Sequence, residues 1–240
     1  FNQIELKENT RVRNIEKVPE FHNYRVAIAS DKELRYPMIG INYMINPAED
    51  KSSYNYYRNS IINELIIKMF NLRLSELTKI ENPPFMFAGS YTTSGIIRAK
   101  TLFSIYAGAP EEKIASSFND LLIETEKVIR HGFLQLELDR VKSSMLNDLQ
   151  TAVNEKDKTE SKDYRFKYKN NYLNGSPFLS QEEELKLFKE ISPNITLYDL
   201  NLKVGNLFSA NNKVFTFSMP EKEGLELITK SDVDSIYYNV

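Results

Sequence analysis

Cysteine and tryptophan are absent from these 240 residues, and histidine occurs only twice. Without cysteine the chain can form no disulfide, thiolate metal site or thiol nucleophile. That lack does not choose a compartment, because a cysteine-free protein suits cytoplasm and periplasm alike. No apolar run approaches the roughly 20 residues of a membrane span. The opening residues, FNQIELKENTRVRN, lack the apolar stretch of a signal peptide. The chain also starts without methionine, and is read as an internal segment of a longer protein. A surplus of one charge is missing too. The net charge is -2, with basic residues scattered among acidic ones, so neither a nucleic acid nor a membrane is expected as a partner.

Glycine is scarce. Gly89, Gly95 and Gly108 have neither P-loop nor dinucleotide-binding spacing. The two histidines, His22 and His131, belong to no HxxEH or HExxH helix, the spacings that put two imidazoles and a general base on one helical face. His131 falls in the last turn of its helix, where an imidazole suits the negative end of the dipole. Many serines are present, but without a histidine near them no triad is proposed. Catalytic residues: none expected. Metal ligands: none expected.

Hydrophobic residues at 41% and charged residues at 27% give an ordinary globular balance with a substantial core. Tyr24–Ser30 and Met38–Ile45 alternate like half-buried strands and read as a consecutive pair. A helix is predicted from about Ser52 to Thr78, its apolar residues three and four apart. Asn82-Pro83-Pro84 stops it. Phe85–Thr92 and Thr101–Ala107 read as strands turning at Gly95. Pro110-Glu111-Glu112 opens a helix that ends before Gly132, and another runs from Leu134 to Asn154. Capping boxes at Ser180/Glu183 and Thr196/Asp199 start two more. Lys213–Met219 is a last strand, and a short terminal helix begins near Ser231. Strand pairs separated by helices predict an α+β two-layer sandwich, an antiparallel or mixed sheet with helices on one face. Leu65, Phe70, Leu74, Phe118, Leu122, Leu138, Val141 and Leu149 are the expected core.

Acid pairs such as Glu124/Glu126 and Glu137/Asp139 stand two apart on a helix and do not face each other, so they read as solvated charge. Asp163–Tyr172, DYRFKYKNNY, mixes aromatic and basic residues in the manner of a single-strand nucleic-acid platform. The spacing of Tyr164, Tyr168 and Tyr172, with acids close by, favours a packed helix instead.

Three segments together carry a resemblance. Phe70-Asn71-Leu72-Arg73-Leu74-Ser75-Glu76-Leu77 is followed by Asn82-Pro83-Pro84-Phe85. Gly132-Phe133 is followed by Glu137-Leu138-Asp139-Arg140-Val141-Lys142. Asn154-Glu155-Lys156-Asp157-Lys158 precedes Ile191-Ser192-Pro193-Asn194-Ile195-Thr196 and Val214–Pro220. From about Arg11 onward this ordered set resembles the second domain of insulinase/pitrilysin-type zinc peptidases, in their bacterial, processing-peptidase-like branch. Such enzymes are four similar α+β domains around a chamber, with zinc on an HxxEH helix and a later glutamate of the first domain. None of those ligands has a counterpart here. The fourth domain offers an Arg and a Tyr to substrate. Arg73 sits near that Arg, but Asn82-Pro83-Pro84 interrupts the Tyr-bearing segment. The resemblance therefore favours the second domain over the fourth, and for Arg73 an internal ion pair or helix-end cap.

The resemblance implies that residues 1–23 are a linker from a preceding domain and 24–240 a single non-catalytic domain. That domain would form part of the chamber and position substrate. Zinc would lie in the parent's first domain. The partners would be that upstream zinc-bearing domain, the downstream half of the chain and an unfolded peptide. The periplasm is favoured over the cytoplasm. The alternative is a structural or assembly subunit with the same fold and no peptidase partner.

Overall fold

The computed structural model describes residue 14 and residues 16–47, 51, 53–94, 99–208 and 211–240. The predicted turn at Gly95 lies outside these residues, as does most of the polar lead.

Five strands, β1 (Arg25–Asp31), β2 (Met38–Ile45), β3 (Phe87–Ser94), β4 (Thr101–Gly108) and β5 (Lys213–Pro220), form one sheet in the order β1-β5-β2-β4-β3. β1 runs parallel to β5 and every other pairing is antiparallel. The expected consecutive pair is thus corrected. β5, from the far end of the chain, is inserted between β1 and β2. Its Phe215, Phe217 and Met219 are all buried, as befits a central strand.

The described residues hold seven α-helices: α1 (Tyr54–Leu77), α2 (Ile114–His131), α3 (Gln135–Asn154), α4 (Ser161–Asn174), α5 (Gln181–Ile191), α6 (Leu197–Phe208) and α7 (Lys230–Asn239). Their ends follow local chemistry. The Ser53 hydroxyl accepts from the Tyr56 N–H at the start of α1. Ser180 and Thr229 close capping boxes with Glu183 and Asp232. Thr196 and Asp199 exchange the same pair of bonds before α6. Gly132 ends α2 at φ 66°.

Strand alternation decides where the core sits. Ile39, Ile41 and Tyr43 of β2, Phe103, Ile105 and Ala107 of β4, and the β5 trio all point to one side. There α1, α2 and α6 meet them through a cluster of rings. Phe208 stands against Phe70, Phe103 and Tyr43, and Phe118 against Phe215 and Phe217. This is the two-layer α+β arrangement with a mixed sheet. Of the expected core, Leu149 differs from the rest. It is only half-buried, because it borders an open groove of about 420 Å³ between α1, α3 and α5 that Glu64, Asp148 and Glu184 also line.

The sheet edge at β3 is partly closed by a side chain. The Asn71 amide on α1 donates to the Ser90 carbonyl at 3.1 Å, and its oxygen accepts from the Ser90 N–H at 2.6 Å. An amide thus occupies the place another strand would take, a means of blunting an edge.

Candidate functional site

The second face of the sheet carries no helix among the described residues. Register places on it Ala27 and Ala29 of β1, Thr216 and Ser218 of β5, Gly40 and Asn42 of β2, Ser104 and Tyr106 of β4, and Gly89 and Tyr91 of β3. Among the strand residues of this face only Arg25 and Asp31 are charged, and both lie at the ends of edge strand β1. At its centre the Asn42 amide joins three strands. It accepts from the Ser104 hydroxyl at 2.7 Å and donates towards the Val214 carbonyl and the Thr216 hydroxyl, each at 3.3 Å. These polar groups satisfy one another within the plane of the sheet.

Toward β3 the face becomes aromatic. Tyr36 stands edge-on to Phe87, with ring centroids 5.5 Å apart, and Tyr106 neighbours Phe87 and Tyr91 at 6.5 and 5.8 Å. Phe87 and Tyr91 remain 36% and 47% exposed. Two rings lie flat because glycine lets them. A Cβ at Gly108 would come within 2.5 Å of the Phe87 ring, and one at Gly89 within 2.7 Å of the Tyr106 hydroxyl. The outcome is a smooth, nearly uncharged surface bordered by a shelf of rings.

Neither histidine stands on a strand of this face. His22 is exposed in the lead before β1, beside Tyr24, Asn212 and Tyr237, and His131 is exposed at the C-terminus of α2. No group of three or more His, Asp and Glu side chains able to hold a metal ion occurs among the described residues. The residues present do not fit the zinc site of the family resembled.

Arg73 is engaged inside the molecule. Its guanidinium meets the Glu137 carboxylate with two bonds of 2.6 and 2.8 Å, donates to the Gly132 carbonyl at 3.1 Å, and lies 3.9 Å from Glu124. It also sits 4.9 Å from the centre of the Phe133 ring. The expectation of solvated charge is corrected here. Glu124 is buried and Glu137 half-buried, because the start of α3 brings Glu137, and the packing of α2 brings Glu124, to a cation on α1. Burial alone would raise the Glu137 carboxyl. The bonds from Arg73 and from the Leu134 N–H outweigh that and hold it below the ordinary carboxylate range. Arg73 ties α1 to the α2–α3 connection and faces no cleft.

The packed-helix expectation for Asp163–Tyr172 is also corrected. A helix forms there, but Tyr168 and Tyr172 are 60% and 88% exposed and only Tyr164 of that stripe is half-buried. No helix or strand covers them.

No family model matches the chain. It is similar to PqqL, a probable zinc protease of Escherichia coli K12, with 26% identity over 181 residues, 75% of this chain and 19% of that protein. It is similar also to a PQQL-like zinc protease of Arabidopsis thaliana, with 23% identity over 184 residues, 77% of this chain and 16% of that protein. The crystal structure of the first half of the periplasmic protease PqqL from E. coli matches its fold at TM-score 0.85 and 21% identity. That match covers 96% of this chain and 50% of the other. The chain therefore spans less than a fifth of the length of these curated relatives. The fold is the α+β fold of that protease half. These relatives are zinc proteases, in keeping with the resemblance to insulinase-type zinc peptidases.

Proposed function

We infer that the chain is a non-catalytic domain of a multidomain zinc endopeptidase, forming one wall of its chamber and helping to position an unfolded peptide. One observation carries this. Nearly the whole chain matches half of the first half of a zinc protease, yet it contains no HxxEH and its two histidines stand on separate elements. In this family the metal helix belongs to the first domain, which leaves the second as the counterpart of this chain. Residues 1–23 then connect it to that first domain, and 24–240 form the domain itself. It contributes no catalytic or metal-binding residue. The first domain's zinc supplies the activated water, and this chain contributes confinement and positioning.

The open sheet face supports the reading. Depletion of charge marks the core of an interface, and the exposed rings of Phe87 and Tyr91 at its border suit an interaction surface. The zinc-bearing domain and the downstream half of the parent are the partners expected to cover or adjoin it. The compartment proposed is the periplasm, that of the periplasmic protease PqqL of E. coli.

Co-expression of this chain with the upstream HxxEH domain tests the proposal. A stable complex is expected, since interfaces between domains of one chain bury about 600–1,500 Å². Replacing Tyr106 and Asn42 by lysine should disrupt it by placing charge at its centre. No association at tens of micromolar would instead favour a free-standing structural or assembly subunit of the same fold.

A further inference from the structure

α4 is the one α-helix of the described residues with no buried side chain. Only Tyr164 and Lys167 are half-buried, and Lys167 is held to the body by Glu184 at 2.9 Å and the Leu179 carbonyl at 3.2 Å. These two fix which side of the helix faces inward. The opposite side carries Lys162, Arg165, Phe166, Lys169, Tyr172 and Leu173, all exposed, at the i, i+3, i+4, i+7 spacing of a single helical stripe. Phe166, 49% exposed, lies between two cations, with the Arg165 guanidinium 5.1 Å and the Lys169 ammonium 5.3 Å from its ring centre. Arg165 and Lys169 make no ion pair with a described residue, while Lys162 pairs with Glu160 at 2.7 Å. No acid lies in the stripe.

A helix of this kind needs support. α4 has 14 residues, close to the length of about 12–15 residues below which isolated helices are marginal in water, and most helical stability comes from a packed face. Its ends are well made. Gly175 takes a left-handed cap bonded to Asn171, and the Asn171 amide donates to the Ser176 carbonyl. Capping without packing describes a helix held ready for a covering partner.

We propose that the outward stripe of α4 docks an amphipathic helix of another polypeptide, one that alternates carboxylates with apolar side chains along one face. The spacing is that of a helix–helix seam, and unpaired cations interleaved with Phe166, Tyr172 and Leu173 are complemented by carboxylates interleaved with apolar groups. A lipid surface fits less well. Membrane-surface helices segregate cations from the apolar face, whereas here both share one stripe. A nucleic-acid strand also fits less well, since Tyr168 is already stacked on Phe178 at 4.6 Å and Glu160 and Asp163 flank the helix. The proposal does not depend on the chamber reading.

The test uses the whole chain and a fluorescently labelled amphipathic peptide of glutamate and leucine, read by anisotropy at low salt. Saturable binding is expected. It should weaken by about tenfold or more in Arg165→Glu/Lys169→Glu and in Phe166→Ser, and it should fall as salt is raised. The side chains changed are exposed, so circular dichroism and melting should match the parent chain. A lysine–leucine peptide should bind the charge-reversed variant better than the parent. The proposal is overturned by absence of binding, by equal binding to the charge-reversed variant, or by stronger binding to phosphatidylglycerol vesicles or oligothymidylate. Self-association of the free chain through α4 would also overturn it.

Discussion

Arg73 shows how a single side chain acquires its role from distant parts of the chain. Glu137 lies 64 positions away in sequence, and only the packing of α1 against the α2–α3 connection brings the two together. Arg73→Ala would leave the half-buried Glu137 without its cation, while the buried Glu124 would keep Lys127 at 3.2 Å. A loss of about 2–3 kcal/mol in urea unfolding is expected. Lysine should restore only part of it, because it cannot form the two-pronged contact. The pH dependence has a definite sign. The folded carboxyl of Glu137 is held below its ordinary value, so its contribution is present above the unfolded carboxylate range, about 4. That contribution is lost as pH falls through the folded value. The stability gap between the parent chain and Glu137→Gln should therefore be full at pH 7 and close in acid. A gap that stays constant from pH 7 down to about 2 would contradict this account. Asp199 acts in the same sense. The Thr196 backbone N–H and the 3.0 Å pair with Arg58 hold its carboxyl low against the effect of burial.

Among the elements, helix periodicity was the most legible signal. α1 and α3 begin and end within about two residues of their sequence-based bounds, while α2 starts at Ile114 after a 3-10 turn over Glu111–Lys113. Of the eight residues expected in the core, all but Leu149 are buried. That exception supplies a comparison. Leu138→Ala, at a fully buried site, should cost about 2–5 kcal/mol, whereas Leu149→Ala at the border of the α1–α3–α5 groove should cost clearly less. Equal losses by chemical denaturation would mean that the groove is filled in solution. β1 and β2 were legible as strands but not in their pairing. Alternation reports that one face is buried and cannot say which strand lies alongside. α4 was legible as a helix by its spacing, yet its packing was misjudged, because a stripe of tyrosines has the same period whether it faces a core or solvent.

For the molecule as a whole, the sparse histidine and absent cysteine make a definite expectation about metal. The purified chain, dialysed at neutral pH, should retain no stoichiometric zinc by elemental analysis, and one tightly held zinc per chain would refute the proposed division of labour. Residue types and their spacing were enough, by themselves, to exclude a thiol or HxxEH centre, to mark most helices and strands, and to suggest the family. These properties are local, written within a few residues of one another, and chemistry that needs an absent side chain is excluded in any fold. The insertion of β5 between β1 and β2, the convergence of Glu124 and Glu137 on Arg73, the uncharged open face and the unpacked stripe of α4 were decided only by tertiary structure. Each depends on which distant segments come to lie side by side. That choice is made by burial summed over the whole core, and no window of the sequence contains it.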